Sequence, residues 1–160
     1  MTRDRMDLLL KLKDFGWNQE GWFAPLAAAL EGVTAAQASW QPPGGGNTIW
    51  QTVNHLNYYN GRLLRRFTGQ PLEQGLPDND STFAVQEGAE AQWLAALEQT
   101  RHIADGLRGV LGEMTDQDLG KPFNDGTLQD TLVSWIMHDV YHTGQIVLLR
   151  KQQGSWPAQR

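Results

Sequence analysis

The sequence predicts an all-α protein, a four-helix bundle forming one domain over residues 1–160. Three observations carry that expectation. Apolar residues recur at helical spacing in four segments, whereas strand-like alternation does not recur. Three short patterns match the capping box, in which a Ser or Thr and an acid or amide three residues on close a helix N-terminus. Finally, 160 residues, 40% hydrophobic and 19% charged, suit one domain with a real core and leave little room for two.

Met6, Leu9 and Leu10, then Phe23, Leu26, Ala27 and Leu30, follow the i, i+3, i+4 rhythm of a helix face. Pro25 falls inside that region, so the first helix is either kinked or restarts after Asn18. Gly32 ends it, Thr34–Gln37 is a capping box for one short turn, and Pro42–Gly46 is a loop. Thr48–Gln51 opens the second helix, whose apolar stripe is Ile49, Val53, Leu56, Leu63 and Phe67. Gly69–Ser81 reads as a long surface connection, so helices two and three need not be simple antiparallel neighbours. The third helix is expected from about Val85 to Leu111, with Leu94, Leu97, Ala104, Leu107 and Leu111 on one face. After a polar linker holding Pro122 and Asp125-Gly126, Thr127–Asp130 is the acid-bearing capping box of the fourth helix. That helix runs to about Gln153, where Gly154 and Pro157 stop it. No internal repeat or low-complexity tract is present.

Composition narrows the function. A net charge of −5 without a long basic run argues against nucleic-acid binding. The absence of cysteine excludes disulfides, thiolate metal sites and a cysteine nucleophile. Lys11 and Lys13 break the first apolar run too early for a signal peptide, and no run of about 18 apolar residues could span a membrane. A soluble, cytoplasmic protein is expected. Seven tryptophans point to an aromatic-lined core or pocket.

The segment Trp135–Ile146, WIMHDVYHTGQI, carries the clearest chemical signal. Four residues advance a helix by about 400°, so His138 and His142 lie about 40° apart in projection and about 6 Å apart along the axis. Trp135, Ile146 and Leu149 share their side, so both rings face the interior. Two imidazoles there are costly if charged and poorly satisfied if neutral, and a metal ion resolves the conflict by taking a neutral nitrogen from each. The alternative is that the rings simply hydrogen-bond within the core. His55, in NHLNYYNGRLL on the second helix, offers a third donor; a lone histidine there is more often structural, yet three histidines from two helices are what an open metal site with a fourth position for water or substrate requires. His102 lies off the stripe of its helix and is expected to be solvated.

Asp139 gives HDVYH where zincin metalloproteases carry HExxH, making it a candidate general base, although it projects about 100° from His138. A solvated or supporting carboxylate is the other reading. Gln145 lies within about 20° of His138 and is a candidate supporting or pocket residue, with helix packing as the alternative. Trp50, Tyr58 and Tyr59 are candidate pocket walls, with core packing as the alternative. The fourth helix is apolar on nearly every side, through Ile136, Met137, Val140, Tyr141, Val147 and Leu148 as well, which points to a homodimer.

PPGGGNTIWQTVNHL, followed downstream by WIMHDVYHTGQIVLLRK, resembles the DinB/YfiT-like superfamily, and FAPLAAALEGVTAAQASW extends the resemblance over nearly the whole chain. The resemblance implies an up-down-down-up four-helix bundle and a metal triad carried by His55, His138 and His142, with zinc or nickel as the metal. It also implies a thiol-dependent transferase or isomerase working with bacillithiol, mycothiol or glutathione, often as a homodimer. The metal would lower the pKa of a low-molecular-weight thiol and so supply a thiolate for attack on a small electrophile. Two functions stay open: a metal-dependent thiol transferase or hydrolase, and a non-catalytic or stress-related dimer in which the ion ties two helices together.

Overall fold

The computed structural model describes residues 2–85 and 88–159. The protein is mostly helical: α1 (Asp4–Trp17), α2 (Leu26–Leu30), α3 (Ala35–Ala38), α4 (Ile49–Phe67), α5 (Glu90–Gly112) and α6 (Leu128–Gln152). Pro122–Phe123 (β1) and Gly126–Thr127 (β2) form a minimal antiparallel hairpin, which turns through Asn124 at a φ of 52°. Asn is among the few non-glycine residues that tolerate this left-handed conformation.

All three capping boxes form. The hydroxyls of Thr34, Thr48 and Thr127 accept from the backbone N–H three residues on, and Gln37, Gln51 and Asp130 reach back to the cap residue's own N–H. The break in the first helix is wider than expected. α1 ends at Trp17, and helix resumes only at Leu26, with Pro25 as the preceding cap residue. Phe23, expected on the buried stripe, is exposed within that break.

α5 also departs from expectation. It starts at Glu90, and the anticipated first turn from Val85 includes Gln86 and Glu87, which lie outside the described residues. Gly88, just before the helix, packs closely on Trp50, where an added Cβ would come within 2.7 Å of the indole. Leu94 is 55% exposed, while Trp93 is fully buried in its stead. Trp93 buries a larger apolar surface, and its Nε1–H donates to the Val33 carbonyl at 2.6 Å, so nothing polar is stranded.

Two apolar regions flank a polar middle layer. One joins Leu26, Leu30, Val53, Leu56, Trp93 and Ile146; the other joins Met6, Leu10, Leu111, Leu119, Leu132 and Ile136. Between them along the helices lie the buried side chains of Lys13, His55, Asn57, Asn60, Thr100 and His142. Asn57 donates to the Ala96 carbonyl at 3.1 Å and accepts from the Thr100 hydroxyl at 2.8 Å, binding α4 to α5. Asn60 donates to the Asp139 carboxylate at 3.0 Å, binding α4 to α6.

Long-range polar contacts complete the helix ends. Asp116, in the α5–α6 linker, accepts from the backbone N–H of Met6 at 2.9 Å and so caps the start of α1. The Arg150 guanidinium, 4% exposed, donates to the carbonyls of Ala29, Glu31 and Ser155. The long connection after α4 folds back along that helix: Arg62 donates to the Glu73 carbonyl, Arg65 to the Pro71 carbonyl, and Leu76 N–H to the Tyr58 hydroxyl.

Candidate metal centre

The polar layer brings His55 of α4 against His138 and His142 of α6. His55 Nε2 lies 3.0 Å from His138 Nε2, and His142 Nε2 lies 3.2 Å from the same atom. All three nitrogens fall within 4.8 Å of one another. His55 and His142 are 2% and 7% exposed, whereas the His138 side chain is 34% exposed and opens the cluster to solvent.

The other ring nitrogens fix which face each ring presents. His55 Nδ1 lies 2.6 Å from the Thr82 hydroxyl oxygen, and that hydroxyl donates to the Asn79 carbonyl at 2.6 Å. His142 Nδ1 lies 2.7 Å from Gln145 Oε1, which can only accept. Both Nδ1 atoms are therefore assigned the proton, leaving both Nε2 lone pairs aimed at the shared point. Phe83 stacks on His55 at 4.0 Å and 9°, and Tyr59 meets it edge-on at 5.0 Å.

Electrostatics push the same way. Burial, followed by the neighbouring charges of His142 and His138, lowers the His55 pKa from 6.5 to about 4. Burial likewise lowers that of His142. Neutral imidazoles are what a metal requires, and three nitrogen donors with a solvent-facing side suit a divalent ion. The donor set and its geometry are compatible with metal binding.

The sequence-nominated neighbours separate into distinct roles. Asp139 sits 3.8 Å from His138 Nδ1, outside hydrogen-bond range, with its carboxylate held by Asn60. Together with Lys13 and Trp135 it borders a small cavity of about 30 Å³. Gln145 supports His142 directly. Trp50 is not a pocket wall: it is 4% exposed and packs on Trp93 at 5.4 Å in the core, where its large apolar ring outcompetes any role at the polar layer. Tyr58 turns toward the α4 connection instead of the histidines. His102 is exposed on α5 and lies outside the cluster.

An open groove of about 690 Å³ borders His138, lined by Tyr59, Asn60, Asn79, Asn124, Ser134 and Trp135 among others. Asn79, Thr82 and Phe83 escaped sequence reading because they sit in a connection with no periodicity to place them. Asn60 carried no such signal either, since five residues after His55 it projects about 140° away on the same helix.

A family model described as the DinB superfamily matches residues 22–146. That span includes all three histidines together with Thr82 and Gln145. Neither a curated protein nor a solved structure matches the chain.

Proposed function

The chain belongs to the DinB superfamily, and on that premise we propose that it holds one divalent ion through His55, His138 and His142 and acts as a metal-dependent thiol S-transferase or hydrolase on a small molecule. The observation carrying the reading is the convergence of three Nε2 atoms beside an open groove whose wall carries several polar side chains. A bound zinc or nickel ion would supply Lewis acidity, stabilising the thiolate of a low-molecular-weight thiol, or a hydroxide, near neutral pH. His55 and His142 would present neutral nitrogens, held by Thr82 and Gln145. His138, the most exposed of the three, would mark the side from which substrate arrives. Asn60, Asn79 and Ser134 offer hydrogen bonds for orienting a polar small molecule. Asp139 fits a supporting carboxylate better than a general base, because Asn60 engages both its oxygens.

The apolar clusters support an up-down-down-up four-helix bundle within one domain, since the start of α4 shares a core with the start of α5 and the end of α6. No helix among the described residues is long and apolar enough to cross a membrane, and a cytoplasmic homodimer is the accompanying proposal.

Metal analysis tests the ligand set. The wild type should retain about one divalent ion per chain, and His55→Ala, His138→Ala and His142→Ala should each lose most of it. His102→Ala should match the wild type. Full metal content in His55→Ala would sink the triad. Zinc- and nickel-loaded protein should then be assayed with several small thiols and a generic electrophile. If no thiol or ester is turned over while chelation still lowers the melting temperature, the non-catalytic reading replaces the enzymatic one.

A further inference from the structure

The turn Asp80–Phe83 sits on one face of α4, and its contacts converge on a single ring. Asn54 Nδ2 donates to the Ala84 carbonyl at 2.8 Å, pinning the exit of the turn. The Tyr59 hydroxyl donates to Asn79 Oδ1 at 3.0 Å, pinning its approach. The Asp78 carboxylate accepts from both the backbone N–H and the hydroxyl of Ser81, at 2.8 and 2.7 Å, which closes the turn internally. Between these fixings, Thr82 and Phe83 meet His55 from two directions.

Thr82 is 4% exposed, and its hydroxyl has one hydrogen to give. The Asn79 carbonyl, 2.6 Å away, cannot donate, so that hydrogen is committed to it. The Thr82 oxygen must then accept from His55 Nδ1 at 2.6 Å. The opposite tautomer would set a bare ring nitrogen against an oxygen whose only hydrogen points elsewhere, leaving both lone pairs unpaired in a buried place. Phe83, stacked at 4.0 Å and 9°, holds the ring plane.

We propose that Thr82 is the positioning residue of this centre: its hydroxyl, oriented by the Asn79 carbonyl, locks His55 in the Nδ1–H tautomer and aims Nε2 at His138 and His142. The end of the connection after α4, from Asn79 to Phe83, is then a working part of the site, while Gly69–Asp78 before it runs over the surface. This rests on the metal-binding reading for its functional consequence, but the tautomer lock itself does not need the ion. Partners of this kind typically change metal affinity by about 10–100-fold when removed.

Two measurements on the full chain test it. Nitrogen-15 NMR of the histidine rings in chelated protein reads the tautomer directly. His55 should be Nδ1–H in the wild type and in Thr82→Ser, and should become mixed or reversed in Thr82→Val. Competition with a chromogenic chelator reads zinc affinity, which should fall about 10–100-fold in Thr82→Val and recover to within about threefold of wild type in Thr82→Ser. Thr82→Ala replaces Thr82→Val if the latter loses its helical circular dichroism. Unchanged tautomer and unchanged zinc affinity in a folded Val or Ala variant overturn the proposal, as does failure of Ser to rescue. If the wild type binds no zinc, the metal reading falls, and the tautomer series alone then supports or overturns the hold of Thr82 on the ring.

Discussion

His55 is the residue whose chemistry is most changed by folding. Its folded pKa near 4 lies below its ordinary 6.5, so between those values an unfolded chain binds a proton that the folded one refuses. The stability this neutral ring supports is complete above about pH 6.5 and is lost as pH falls toward about 4. Asp118, held down to about 2 chiefly by its hydrogen bond from Lys121, contributes its own loss only at lower pH. Chelated protein should therefore melt at a lower temperature at about pH 5 than at about pH 7.5, with a smaller difference in His55→Ala. Equal melting temperatures across that window would contradict it. The His138–His142 pair was legible because a helix has one period and a four-residue step returns to the same side. His55 was legible as a donor only once a second helix could be brought beside the first. Thr82 was not, since a hydroxyl residue in an aperiodic connection carries no sign of which ring it will meet.

At the scale of the helix, local chemistry was readable and boundaries set by tertiary contacts were not. The capping boxes at Thr34, Thr48 and Thr127 need only residues three apart, and all three formed as read. The start of α5 at Glu90 has no such local mark, because Ala89 offers no side-chain cap, and Gly88 before it packs on Trp50, 38 residues away along the chain. Leu94 lost the buried place to Trp93 for a similar reason: the Val33 carbonyl that satisfies the indole comes from another segment. Arg150 likewise carried no signal, because two of the three carbonyls it serves, those of Ala29 and Glu31, become neighbours only when α2 docks on α6. Gly109 offers a test confined to this scale. It is exposed in the last turn of α5, and an added Cβ would meet nothing within 4 Å. Gly109→Ala should raise stability by about 0.5–1 kcal/mol through lost freedom of the unfolded chain, measured as a shift in denaturant midpoint. A lower midpoint would mean that α5 is distorted there.

For the whole molecule, the conspicuous feature is an uncovered apolar face between α1 and α6. Trp22 is 105% exposed, Met137 67% and Tyr141 64%, and together with Leu12 and Phe23 they line a groove of about 610 Å³. A projecting indole beside a groove on the same surface is the arrangement a two-fold interface uses, with each copy supplying knob and hole. Wild-type protein should scatter light as a dimer at micromolar concentration, and Met137→Asp should shift it toward the monomer while keeping its helical content. A wild-type monomer under those conditions removes the claim. Tyr141 also packs edge-on against His142 at 5.1 Å, so covering this face would touch the histidine cluster from behind.

The cap that Asp116 places on the start of α1 has a consequence for the order of assembly. Among the described helices α1 leaves the ribosome first, yet the carboxylate that satisfies its first turn is made 110 residues after Met6. Until the α5–α6 linker arrives, the opening N–H groups of α1 have only water as a partner. α1 is thus made before the other described helices yet capped only after α5 is complete. Removing the cap should leave the rate-limiting step of folding untouched and act on escape from the native state. Stopped-flow tryptophan fluorescence of Asp116→Ala should show a wild-type refolding rate and a faster unfolding rate. A slowed refolding limb would instead put this long-range contact in the nucleus.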